Sequence, residues 1–83
     1  KIYYYNDTRT KKEIDFILIK DNQVLPIEVK TNKTVKRNML GSIISFLKDN
    51  NLKRGIVFYG GDDINSESFD NGITLEYIPY YLI

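Results

Sequence analysis

Asp15, Glu28 and Lys30 are the side chains whose types and spacing could do chemistry. They lie in "EIDFILIKDNQVLPIEVK" (residues 13 to 30), two apolar runs separated by a polar Asp21-Asn22 step, which is the pattern of a β-hairpin. A two-residue loop at that step pairs Lys20 with Gln23. Carried along the arms, this register sets Leu18 opposite Leu25, Phe16 opposite Ile27 and Ile14 opposite Val29 on one face. On the other face Ile19 meets Val24 and Ile17 meets Pro26, and then Asp15 lands opposite Glu28 and Glu13 opposite Lys30. Directly opposed residues have Cβ atoms roughly 5 Å apart, where like charges are destabilising. A divalent cation between the two carboxylates, or a shared proton, would relieve that repulsion. Asp15 and Glu28 thus offer hard oxygen ligands to Mg²⁺, with Mn²⁺ as the alternative. Lys30, two residues beyond Glu28, projects to the same face. Its ammonium could hold an attacking water or offset charge growing on a phosphoryl centre. Glu13 is a candidate auxiliary acid. The competing reading of Lys30 is a surface ion pair with Glu13 or Glu28.

The elements that must position these residues follow from periodicity. "IYYYND" (2 to 7) is β-prone and breaks into a polar run. Residues 12 to 20 and 23 to 31 are the hairpin arms. From about Thr34, Met39, Leu40, Ile43, Ile44 and Leu47 recur at three- and four-residue steps, which predicts an amphipathic helix. Thr34 or Asn38 is its expected cap, and "DNN" (49 to 51) its stop. "GIVFY" (55 to 59) reads as a buried strand and "ITLEYIPYYLI" (73 to 83) as a last strand that Pro79 ends. The acidic stretch between them, residues 60 to 72, reads as a flexible loop. The expected order is β-β-β-α-β-β, with a crossover making the strands around the helix parallel. The helix is expected on the charge-free face carrying Phe16 and Ile27. That would leave Ile17, Ile19, Val24 and Pro26 to be covered by a second copy, by the rest of a parent protein or by the C-terminal segment.

The 83 residues suffice for one domain over 1–83. With no cysteine and no histidine, disulfides, thiolate metal sites and His-based triads are excluded. No run is long and apolar enough for a bilayer, and nothing reads as a signal peptide, so no membrane partner is expected and a cytoplasmic setting is. Net charge is only +1, but it is segregated: residues 1–54 carry +6 and residues 55–83 carry −5. Lys33, Lys36 and Arg37, just beyond the E-V-K strand, are candidate contacts for a nucleic-acid backbone, against the alternative of a solvated approach to the helix. Tyr3, Tyr4 and Tyr5 could stack on bases, against the plainer reading of alternating core and interface positions.

Asp15, the turn, and "PIEVK" on the third strand before a helix resemble the PD-(D/E)xK nuclease fold. More narrowly, "YYYNDTRTKKEIDFILIKDNQVLPIEVKTNKT" resembles the C-terminal domain of unknown function (domain of unknown function 4143) carried by many bacterial and archaeal P-loop ATPases of the AAA type. "RNMLGSIISFLKDN", "RGIVFY" and "GITLEYIPYYLI" fit the same pattern, so the likeness spans nearly the whole chain. The resemblance implies a restriction-endonuclease-like α/β core around a mixed sheet of about five strands in the order 1-2-3-4-5, here without the helix that precedes the first strand in such nucleases. It also implies that Asp15 and Glu28 are the metal ligands, with Lys30 beside them, and that the chain is the C-terminal piece of a longer ATPase. No Gly-Lys-Ser/Thr loop occurs, so ATP is not expected to bind within the piece itself. Three readings remain open: a nucleic-acid-associated or docking module beside an ATPase domain, with DNA and a further copy of the chain as candidate partners; an active Mg²⁺-dependent phosphodiesterase; and an unrelated α/β domain whose acids are merely solvated.

Overall fold

In a computed structural model, which describes residues 2–7 and 12–82, the chain forms one mixed sheet with one α-helix among the described residues. The strands are β1 (Ile2–Asp7), β2 (Lys12–Lys20), β3 (Gln23–Lys30), β4 (Arg54–Tyr59), β5 (Asn65–Ser68) and β6 (Thr74–Pro79), and the helix is α1 (Gly41–Asp49). Their spatial order is β1-β2-β3-β4-β6-β5. β1, β2 and β3 are antiparallel neighbours, β3, β4 and β6 run parallel, and β5 returns antiparallel along β6. The expected α/β class and mixed sheet are therefore present, and the five expected strands, β1, β2, β3, β4 and β6, lie side by side in the expected order, with an unexpected strand, β5, outside β6. The sheet has six strands, and the last two are exchanged in space relative to the chain. Residues 65–68, expected within a flexible loop, form the edge strand β5. "NSES" has no apolar alternation to announce a strand; it is held by backbone pairing of Asn65 with Tyr77 and Ser68 with Thr74.

The β2–β3 hairpin has the predicted register, with Phe16 paired to Ile27, Ile17 to Pro26 and Lys20 to Gln23. Asp21 and Asn22 take φ of 52° and 64°. That is the twist a two-residue hairpin loop demands, and Asp and Asn tolerate it best after glycine.

The helix is where expected but begins later. Its N-cap is Leu40, with no side-chain cap. The expected caps Thr34 and Asn38 do not serve, because residues 37–39 are wound as a separate 3-10 turn. Asn50 ends the helix, its Nδ2 donating to the Phe46 carbonyl at 2.9 Å, and Asn51 follows at φ 54°. Leu40, Ile43 and Leu47 are fully buried and Phe46 nearly so.

The face they bury is the opposite of the one expected. Ile43 Cδ1 and Leu75 Cδ2 each lie 3.0 Å from where a Cβ on Gly55 would stand. The helix side of the sheet therefore carries Gly55 and Leu75 and, by alternation and pairing, Val57, Tyr59, Tyr77, Glu28, Pro26 and Ile17. Those residues are buried, whereas Phe16 is 42% exposed and Leu18, Leu25, Ile27, Ile56 and Phe58 are only half-buried. The strip of Ile17, Ile19, Val24 and Pro26 is covered by α1 rather than by a partner, although Ile19, near its end, stays partly exposed. Absence of charge does not choose the face. Once β4 lies beside β3, the hand of the crossover decides which side the helix meets.

Candidate functional site

Asp15 sits where β2 departs from regular pairing. β1 pairs Tyr3 with Ile17 but Tyr5 with Ile14, so Asp15 and Phe16 together oppose a single residue of β1. This is a β-bulge, a device often found beside functional sites because it re-aims a side chain. The β2–β3 pairing stops at Phe16 and Ile27, one step short of Asp15 and Glu28. Beyond it the Val29 amide donates to Asp15 Oδ2 at 2.7 Å. The Asp15 carboxylate thus takes up a donor of β3 at the end of the paired stretch, and the bond also fixes the carboxylate.

Glu28 follows on β3. Pairing of β3 with β4 is regular from Ile27 with Ile56 to Lys30 with Tyr59, which keeps Glu28 and Lys30 on the helix side. Glu28 is only 5% exposed, and its Oε2 is buried without a hydrogen-bond partner. Burial pushes its pKa from the ordinary 4.5 up to about 7; Lys30 opposes that rise and Asp15 adds to it. Asp15 and Lys30 thus both act on Glu28 across space. An ionised carboxylate left unpaired in such a place costs several kcal/mol, roughly, so it holds a proton or acquires a cation. Glu13, the candidate auxiliary acid, falls with Tyr3, Tyr4 and Tyr5 among residues whose side chains lie outside the described part.

The three basic candidates are not equivalent. Arg37 is engaged: its Nε donates to Glu67 Oε2 at 3.0 Å, a second guanidinium nitrogen is 2.9 Å from the same oxygen, and the guanidinium carbon lies 4.6 Å from the centroid of the Phe69 ring. Lys33 and Lys36 are exposed on the stretch between β3 and the helix. Sequence reasoning missed the partners that Arg37 finds. Glu67 lies in the stretch read as loop, where it also accepts a hydrogen bond from the Tyr77 hydroxyl at 2.8 Å. The signal that could have found this pair is the strand alternation of "TLEYIP", which turns Leu75 and Tyr77 to the same side.

Asp15, Glu28 and Lys30 line none of the shallow cavities that open beside Leu47, Leu18, Val24 and Tyr59. Among the described residues no helix is long and apolar enough to cross a membrane, and no group of three or more acids, histidines or cysteines converges as a metal site.

Fold and site together define a small α/β domain with a buried carboxylate, Glu28, in its sheet and the half-buried Asp15 and Lys30 nearby. Residues 1–81 match the family described as Domain of unknown function (DUF4143), and the chain belongs to that family. No curated protein and no solved structure matches it.

Proposed function

We propose that the chain is a nuclease-fold module of a larger P-loop ATPase, serving as a cytoplasmic docking and nucleic-acid-associated unit rather than as an open phosphodiesterase. The observation that carries this reading is the burial of Glu28. A carboxylate that shares a metal with substrate needs a path for both, yet this one is 5% exposed, and burial raises its pKa to about 7. The half-buried apolar face of Phe16, Ile27, Ile56 and Phe58 supports the docking role, since contiguous apolar surface on a small domain marks contact with another element. Its occupant would be the ATPase part of the parent chain, with a second copy as the alternative. The exposed Lys33 and Lys36 support the association with a DNA backbone.

One observation favours the second reading, a live Mg²⁺-dependent phosphodiesterase. Glu28 Oε2 is buried and unpartnered, and an orphaned carboxylate oxygen near a second acid and a lysine suits a hard divalent cation, Mg²⁺ or Mn²⁺. Asp15 and Glu28 would hold it, leaving most of its octahedron to water and phosphate. Lys30 would offset charge on the phosphate.

Titrating Mg²⁺ while following the carboxylate signals of Asp15 and Glu28 by NMR, with a DNA cleavage assay alongside, separates the readings. The docking module gives no response at millimolar metal and no cleavage. A metal response abolished by Glu28→Gln, with cleavage lost in Lys30→Ala, would replace it by the enzyme.

A further inference from the structure

β3, β4 and β6 run parallel, so their carboxyl ends share one edge of the sheet. Open α/β sheets bind ligands just outside that edge. A cavity of about 230 Å³ opens there, between the stretch that follows β3 and the first residues of β5. Its floor is Tyr59 and Tyr77, both nearly buried and packed edge to face with ring centroids 5.9 Å apart. One wall carries Lys33 and Thr34, the other Asn65 and Glu67.

Side-chain bonds already made hold these groups in place. The Tyr59 hydroxyl donates to the Asp63 carbonyl at 2.6 Å and accepts from Asn65 Nδ2 at 3.3 Å. Glu67 receives Tyr77 on one oxygen and Arg37 on the other. Each carboxylate oxygen accepts two bonds, so Glu67 keeps capacity for a further donor although its charge is balanced by Arg37. The Asn65 amide nitrogen is turned to the Tyr59 hydroxyl and the Asp63 carbonyl, at 3.3 and 3.5 Å, which leaves its carbonyl oxygen as an acceptor. Such preorganisation lowers the cost of binding.

The two walls ask for different things of one ligand. Lys33 and Thr34 suit an oxyanion, and a bare oxyanion would leave the second wall unused. A zwitterionic amino acid would aim its ammonium at a carboxylate already neutralised by Arg37. A planar edge that donates, such as the amino and ring N–H groups of a base, matches the acceptors of Asn65 and Glu67 better, and a planar ring suits the tyrosine floor.

We propose that this cavity binds a nucleoside monophosphate unit, its phosphate on Lys33 and Thr34 and its base edge on Asn65 and Glu67. The unit is either a free mononucleotide or one unpaired residue of a strand. The site is separate from Asp15, Glu28 and Lys30, so it stands whether or not those residues hold a metal.

The test is NMR titration of the isotope-labelled chain with each 5′-mononucleotide, with inorganic phosphate, with a free amino acid and with a short unpaired oligonucleotide. Saturable shifts are expected at the amides of Lys33, Thr34 and Val35 and at the side-chain amide of Asn65. Lys33→Ala should weaken binding about tenfold, the loss of one charge-assisted hydrogen bond. Thr34→Val provides a second, milder variant, and a spectrum as dispersed as that of the parent chain shows that each variant folds. Binding of mononucleotides as well as oligonucleotide assigns the free ligand, and binding of oligonucleotide alone assigns the strand. Absence of saturable shifts at these residues, or inorganic phosphate or the amino acid binding as tightly as the nucleotides, overturns the proposal. The docking reading fails separately, through Asp15 and Glu28 signals that respond to metal.

Discussion

Among the described residues the sheet has two apolar faces, and α1 lies on one of them. The covered face holds Ile17, Pro26, Val57 and Leu75 against Leu40, Ile43 and Leu47, and it also holds Glu28 and Lys30. The other face holds Phe16, Leu18, Leu25, Ile27, Ile56 and Phe58, with the Arg54–Glu76 ion pair toward the end where β4 and β6 begin. Both faces carry charge, so charge does not separate the buried face from the open one. Burial in this fold follows topology, and the charges on the covered side are carried along with it. One consequence is a buried carboxylate, Glu28, whose pKa burial pushes up to about 7.

The largest effect that would break this comparison is a cavity under the helix. Leu40→Ala and Leu47→Ala should each cost about 2–5 kcal/mol in denaturant unfolding, because both side chains are fully buried. A loss below about half a kcal/mol would place the helix on the other face.

Next comes pH. The pKa of Glu28 is raised in the folded state, so its protonated form favours folding. That contribution is complete below about 4.5 and is lost as pH rises through about 7. The full swing is on the order of 3 kcal/mol by linkage. Unfolding free energy measured from pH 4 to 8 should fall across that window, and the Glu28→Gln variant should lack this component. A wild-type profile identical to that of Glu28→Gln would mean that water or a cation reaches the carboxylate.

Asp15→Ala should cost about 1.5–3 kcal/mol, the range for a hydrogen bond to a charged group, because it removes the acceptor of the Val29 amide. It should also move the Glu28 midpoint downwards, since Asp15 is one of the influences raising it. An unmoved midpoint would separate the two carboxylates that the sequence places together.

How much of this was legible depends on which physical rule governed each residue. The hairpin could be read because Asp21-Asn22 names its own turn and the turn sets the register. The helix could be read because Leu40, Ile43 and Leu47 recur at helical spacing. The face could not be read from either, since each hairpin arm alternates between two apolar sets, and only the crossover chooses between them. Gly55 was a usable hint: a strand residue with no Cβ marks where another side chain comes close, and Ile43 does. β5 was invisible because "NSES" has no apolar alternation, and its backbone pairing with β6 leaves no trace in the sequence. At the site, Glu28 and Lys30 share a face of β3 because strand residues alternate, while the burial of Glu28 could not be read with the helix expected on the other face.

The smallest expected effect sharpens the comparison most. Phe16→Ser removes a large side chain from the open face, where it is 42% exposed. In this chain alone the loss should stay below about 1 kcal/mol, since a partly solvated side chain forfeits little transfer free energy and leaves no closed cavity. Leu40→Ala deletes fewer atoms and should still cost more. If the open face is a docking surface, the ranking changes in the parent protein. There Phe16→Ser should weaken attachment of this domain to its neighbour, while Leu40→Ala should act through folding alone. Limited proteolysis of the parent protein and its Phe16→Ser form reads the difference. Faster release of an intact domain supports docking on this face, and unchanged release places the contact elsewhere.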